Sequence, residues 1–228
     1  MNPGPESARS EGRLTAWLAV VAGLTFLNYY GRAVGGTPER DVLYRWETFV
    51  AALLQFGLML VIVLLIARRG PARELLALRR PPGWGRAALI GLGVYVGTLI
   101  VALALGPFLN AEEEQGLVPE AWDPGRAAPF AANCAVVSLF VPVVEELTFR
   151  GIGFTLLAAR LGQLVTVIVI GVLFGLAHGL LAGLPVLIAF GLGLAWLRSR
   201  TQSVYPCMIL HGFFNAVALL VAVTFGEG

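Results

Sequence analysis

Six polar side chains stand inside long apolar runs, and together they have the makings of a site that handles charge inside a membrane. Glu145, Glu146 and Arg150 lie in Val141-Pro-Val-Val-Glu-Glu-Leu-Thr-Phe-Arg-Gly151. His178 closes Phe174-Gly-Leu-Ala-His178, and His211 and Asn215 bracket His211-Gly-Phe-Phe-Asn215. These are the only 2 histidines of the chain. A charge at the centre of a bilayer costs roughly 2.5–3.5 kcal/mol on insertion scales, so polar residues there face the bundle interior or pair with one another. Glu146 and Arg150 are four residues apart and meet on one helical face. That leaves Glu145 as the carboxylate without a local partner. His211 and Asn215, also four apart, present an imidazole and an amide that can donate to a developing oxyanion. Each segment also has a plainer reading: a helix end whose charges reach the headgroups, or histidines that only pack.

The elements that must position these groups are membrane helices. Of 228 residues 57 % are apolar and 13 % charged, against roughly 25 % charged in an average soluble domain. The mean hydropathy is +0.80. A crossing needs about 20 apolar residues, so seven would use roughly 140, which leaves no room for a separate soluble domain. The expected fold is an all-α polytopic membrane protein of seven to eight transmembrane helices. Residues 1–129 hold three spans and loops, and residues 130–228 hold the catalytic core, within one integrated membrane domain. The spans are Leu14–Gly31, Thr48–Ala67, Ala87–Leu109, a long run from Pro129 to Ala159 that Pro142 should kink, Leu164–Leu181, Gly183–Leu197 and Tyr205–Phe225. Cys134 and Cys207 sit in apolar runs as small packing residues. The net charge of +2 gives no reason to expect a nucleic-acid partner.

All 16 basic residues are arginine, as in a bacterial protein from a GC-rich gene, and their placement orients the chain. Arg68, Arg69, Arg73, Arg79, Arg80 and Arg86 crowd one short loop with a single acid, Glu74. By the positive-inside rule this loop is cytoplasmic. The N-terminus, the Arg160 turn and an Arg198/Arg200 loop then lie on the same side of the inner membrane. Arg32, Arg40, Arg45, Arg126 and the acidic loop Asn110–Pro129, with Glu112, Glu113, Glu114, Glu120 and Asp123, fall outside.

Spacing argues for a shared site. If Arg160-Leu161-Gly162 turns a helical hairpin, Glu145 precedes the turn by about as many residues as His178 follows it, and both sit about 24 Å from it. Gly171, Gly175 and Gly179 form a small-residue ridge for close helix contact. His211 fits less well: it is about six residues into its span, which places it nearer the cytoplasmic side unless its helix is tilted, kinked or re-entrant.

The three motifs, in this order, resemble the signature of the CAAX protease and bacteriocin-processing (CPBP) family of intramembrane endopeptidases: EExxxR at Glu145–Arg150, FxxxH at Phe174–His178 and HxxxN at His211–Asn215. The resemblance covers about residues 130–220. It implies hydrolysis of a peptide bond in a membrane-associated peptide or protein. Glu145 would be the general base, His178 its assistant, His211 and Asn215 the oxyanion donors, and Glu146 with Arg150 a supporting pair. It implies as substrates either prenylated CAAX ends from the cytoplasm or bacterial peptides and sorting signals at the outer face. No cofactor is favoured. The alternative is a divalent metal such as zinc on Glu145, His178 and His211 with a fourth position open to water, although no HExxH is present. Two other classes stay open, a non-catalytic immunity or membrane scaffold protein and a transporter. The sequence does not address oligomeric state.

Overall fold

The computed structural model describes residues 5–35, 41–68, 70–109 and 122–225, and all regular structure among them is helical. Glu112, Glu113, Glu114 and Glu120 of the acidic loop, with Arg40 and Arg69, lie outside the described residues. The helices are α1 (Pro5–Gly35), α2 (Trp46–Ala67), the one-turn α3 (Ala72–Leu75), α4 (Trp84–Leu105), α5 (Ala127–Ala135), α6 (Val141–Glu146), α7 (Phe154–Ala177), α8 (Leu184–Thr201) and α9 (Tyr205–Phe225). Two π-helical turns, Val136–Phe140 and Leu147–Gly153, join α5 to α6 and α6 to α7 in one unbroken helical run.

Among the described residues, five stretches are long and apolar enough to cross a membrane: Ala8–Gly35, Trp46–Ala67, Trp84–Phe108, Pro124–Ala177 and Tyr205–Thr224. The protein is therefore an integral, multi-spanning membrane protein, with five such stretches rather than seven or eight. Two features lower the count. Helix α8 carries Arg198 and Arg200 in its last turn, where they complement the helix dipole but dilute its apolar length. This also corrects the expected Arg198/Arg200 loop: both arginines are helical, and the chain leaves the helix at Gln202 with φ 54°. The second feature is the 54-residue stretch Pro124–Ala177, which counts once although it doubles back.

The reversal is at Gly162, whose φ of 74° and ψ of 169° are non-helical. Glycine takes this conformation without the Cβ clash that other residues meet. On either side of it Phe149 stacks edge-on against Phe174 with ring centroids 5.4 Å apart. This pair is centred on the same turn as Glu145 and His178, so the expected hairpin forms with its two arms in register. Arg160 at the turn donates to Ser10 Oγ (3.0 Å), and α1 then runs up the hairpin. Trp17 is fully buried and donates Nε1–H to the Thr148 carbonyl (2.8 Å), while Asn28 donates to the Ala177 carbonyl (2.6 Å).

Pro142 does more than bend its helix. It has no N–H to return to the carbonyls four and five residues back, Ser138 and Val137. The π-helical turn just before it leaves both facing α9. There Asn215 Nδ2 donates to the Val137 carbonyl (2.9 Å), and Gly212 packs so tightly on the Ser138 carbonyl that a Cβ would lie 2.5 Å from that oxygen.

One core binds amino- and carboxy-terminal helices together: Trp17 and Val21 of α1 and Met59, Val63 and Ile66 of α2 pack with Phe149, Ile152, Phe174, Phe190 and Leu194. Its tightest seam is α7 against α8. A Cβ on Gly171 would lie 2.7 Å from the Leu192 backbone nitrogen, and one on Gly191 would lie 2.6 Å from the Gly171 carbonyl oxygen. No side chain can be interposed without parting the helices. Gly171→Leu and Gly191→Val are expected to abolish the monodisperse folded protein in detergent. Gly97→Leu, where a Cβ meets nothing within 4 Å, should leave the size-exclusion profile and the melting temperature unchanged.

Candidate active site

The site assembles around a carboxylate that three groups share. Glu146 is fully buried, as is Arg150, and Arg150 Nη1 donates to Glu146 Oε1 at 3.0 Å. The same Oε1 accepts from His211 Nδ1 at 2.9 Å. Across the ring, His211 Nε2 lies 3.6 Å from Glu145 Oε2. His211 therefore bridges the two adjacent glutamates. The sequence paired Glu146 with Arg150 correctly and left Glu145 apart. It did not show that an imidazole would connect them.

Arg150 is held on three sides. Its Nη2 donates to the Gly191 carbonyl (2.8 Å), its guanidinium lies 4.2 Å from the centroid of Phe174, and its own carbonyl accepts from Arg198 Nε (2.9 Å). That carbonyl belongs to the second π-helical turn, as does the Thr148 carbonyl that takes the Trp17 indole. Such turns loosen the helical ladder and occur often at functional sites. Here their carbonyls accept side chains from α1, α8 and α9.

His178 is the last residue before α7 gives way to Gly179, which takes a left-handed φ of 67°. Its Nδ1 is 2.7 Å from the Phe174 carbonyl, one of the end carbonyls that lack an intrahelical partner. A carbonyl only accepts, so Nδ1 carries the proton, and in the neutral ring Nε2 is the free base. Phe174 is the hub of this arrangement. Its ring centroid is 4.6 Å from that of His178 and 5.6 Å from that of His211, with Arg150 against its face. A bulky apolar ring at the first position of FxxxH thus spaces both imidazoles.

Glu145 and His178 face one cavity of about 210 Å³, lined also by Leu24, Asn28, Gln55, Phe56, Phe149 and Ala177. Asn28 and Gln55 went unnoticed in the sequence. Each is a lone amide on an early span, and only proximity to Glu145 gives it meaning. The signal available was Gln55 itself, an uncharged polar residue near the middle of an otherwise apolar span. Its side chain is exposed at the cavity edge, while Asn28 is tied through Nδ2 to Ala177. His211 lines another side of Glu145, and Asn215 sits one turn further along α9 with its amide on Val137.

The depth conflict at His211 resolves through the arginine-rich loop. Leu75, Leu76 and Ala77 are buried, and a Cβ on Gly151 would lie 3.2 Å from the Leu76 backbone. Gly151 is about 16 Å along its arm from the hairpin turn. Val204 N–H donates to the Ala77 carbonyl (3.2 Å), so α9 starts at this inner level. His211, seven residues beyond Val204, then reaches about 26 Å from the turn, the level of Glu145.

Among the described residues no group of three His, Cys, Asp or Glu side chains is placed to hold a metal ion. His178 Nδ1 is turned to a carbonyl, and His211 sets Nδ1 on Glu146 with Nε2 3.6 Å from Glu145 Oε2.

A multi-spanning helical protein with a buried Glu/His cluster beside an intramembrane cavity is the class these observations define. Residues 127–217 match the family described as type II CAAX prenyl endopeptidase Rce1-like. The match takes in both hairpin arms, α8 and α9 as far as Val217, and with them all six polar residues of the three motifs. This stretch is thus CAAX-protease-like, a broader likeness than the bacteriocin-processing family that its motifs resemble. No curated protein and no solved structure matches the chain.

The buried pair makes a stability prediction. Removing one member of a buried ion pair strands the other and costs about 3–5 kcal/mol. Arg150→Met should lower the melting temperature in detergent sharply. Adding Glu146→Gln should recover part of the loss, because the stranded carboxylate is gone. A double variant less stable than Arg150→Met by the full cost of a second lesion would show that the two residues act independently.

Proposed function

We propose that the protein is an intramembrane endopeptidase that hydrolyses a peptide bond of a membrane-associated peptide or protein with a water activated by Glu145. The observation that carries this reading is the facing of Glu145 and His178 into one cavity, with His211 against the far side of the Glu145 carboxylate. Glu145 takes a proton from water as the oxygen attacks the scissile carbonyl. His178, whose Nε2 is free, assists Glu145, and the tetrahedral oxyanion is met by His211 and by the second Nδ2–H of Asn215. Collapse breaks the C–N bond, and the proton held on Glu145 passes to the leaving nitrogen. Glu146 and Arg150 hold His211 in place. No step runs through a metal. The arginine-rich helix ends and the N-terminus face the cytoplasm on this reading.

Access is lateral. A substrate segment in the bilayer must unwind to expose its peptide bond, and its freed N–H and C=O groups then need partners. Gln55 and the Asn28 carbonyl oxygen, on the cavity wall formed by α1 and α2, supply a donor and acceptors for that backbone.

Glu145→Gln and His178→Ala are expected to lower cleavage by at least ~100-fold while the protein stays folded. Comparative membrane proteomics of cells carrying Glu145→Gln against wild type should reveal the substrate as an accumulating uncleaved protein. Activity on that substrate should survive a strong chelator; loss on chelation with recovery on adding zinc would replace the metal-free mechanism. Full function of the Glu145→Gln cells would reject the enzyme reading altogether.

Gln55→Leu should leave thermal stability unchanged and weaken turnover mainly through KM, by roughly tenfold, as expected for lost binding rather than lost chemistry. Wild-type kinetics in that variant would remove Gln55 from substrate recognition.

A further inference from the structure

A second cavity, of about 600 Å³, lies among the helix ends on the arginine-rich side. It is lined by Arg73, Leu78, Arg79, Arg80, Trp84 and Tyr205. Arg73, Arg79 and Arg80 are all exposed, and Glu74 is the single acid between Arg68 and Arg86. Trp84 and Tyr205 each open a membrane-crossing helix, the position that amphipathic aromatic rings take at the headgroup level.

The cavity wall at Arg79 is tied to the chain just before α9. Ser203 Oγ donates to the Arg79 carbonyl (2.5 Å), Val204 N–H donates to the Ala77 carbonyl (3.2 Å), and Arg79 Nε donates to the Gln202 carbonyl (2.5 Å). Ala77 and Gln202 hold left-handed φ values of 53° and 54°, which residues with a Cβ seldom adopt. Two segments that each hold a left-handed residue are therefore joined at Arg79, one of the three arginines that line the cavity. Arg79 is fixed by Gln202, while Arg73 and Arg80 carry no acid partner among the described residues.

We infer that this basin binds the phosphodiester headgroup of an anionic phospholipid of the adjoining leaflet, with Arg73 and Arg80 on the phosphate and Trp84 and Tyr205 against the glycerol and upper acyl chain. Guanidinium groups match phosphate oxygens in pairs, and basic pockets between membrane helices select anionic headgroups. The position at the mouths of two membrane helices favours a lipid over a soluble anion. The bound headgroup would brace the same Ala77–Val204 contact that sets the depth of His211. The inference does not depend on the protein being a protease.

Native mass spectrometry of the full-length protein in mild detergent tests it, with dioleoylphosphatidylglycerol and dioleoylphosphatidylcholine as probes. The anionic lipid should be retained about tenfold more tightly than the zwitterionic one. Arg73→Gln/Arg80→Gln should lose this preference, and Arg73→Lys/Arg80→Lys should keep most of it. Arg9→Gln/Arg200→Gln, which removes two exposed arginines elsewhere at that end, should keep all of it. Equal retention of the two lipids by the wild type, or equal loss in both glutamine pairs, overturns the site. Millimolar inorganic phosphate should leave the lipid bound; its displacement there would give the basin to free phosphate and overturn the lipid assignment.

Discussion

A buried guanidinium is the constraint around which this bundle is built. Arg150 has no contact with solvent, so every face of its charge has to be answered from inside. Glu146 supplies the opposite charge from one turn earlier, Gly191 a carbonyl from α8, and Phe174 the negative face of its ring from the other hairpin arm. Each answer fixes an element: α6 by its register, α8 by its closeness, α7 by the hairpin turn. The Gly191 carbonyl is within reach only because Gly171 and Gly191 let the two helices touch backbone to backbone. With Glu146 immobilised in this way, its shared oxygen orients His211, and His211 in turn lies against Glu145. The group that does the proposed chemistry is thus the last member of a chain of contacts that starts at a charge with no chemical role.

The helix that carries both glutamates is regular for only a single stretch of six residues, between two wider turns. Those turns make the helix adhesive. A regular α-helix keeps its carbonyls for itself, whereas here Val137, Thr148 and Arg150 lend theirs to Asn215, Trp17 and Arg198. In a medium without water, a hydrogen bond to a released carbonyl is one of the few strong attachments open to a neighbouring helix, since apolar surface gains nothing by leaving lipid for protein. Irregularity in the site helix and cohesion of the bundle are the same feature.

What the sequence disclosed was local chemistry and counting. The three motifs, the Glu146–Arg150 pair and the matched distances of Glu145 and His178 from Gly162 all follow from spacing along one or two helices, and the hairpin forms as that spacing requires. The depth of His211 stayed open in the sequence because it depends on where α9 begins, and that start is set by a loop folding inward at Leu75–Ala77, a tertiary event with no periodic signature. Asn28 and Gln55 escaped notice, and Arg198 read only as a charge in a loop, because a single polar residue in a span, or an arginine near a helix end, reads as incidental until its neighbours are known. Five stretches, not seven or eight, meet the length and hydropathy of a crossing because Arg198 and Arg200 dilute α8 and because the hairpin through Gly162 counts once.

The cavity joins two parts of the chain with different histories open to them. Glu145 and His178 stand on helices within the CAAX-protease-like stretch, whereas Leu24, Asn28, Gln55 and Phe56 come from helices that precede it. The wall bearing the reactive groups is bound by many mutual contacts and tolerates little change. The opposite wall meets fewer demands, since Gln55 is exposed and Leu24 and Phe56 are only partly buried. Substitutions in the amino-terminal helices can therefore redraw one wall of the cavity without touching the contacts that hold Glu145 and His178.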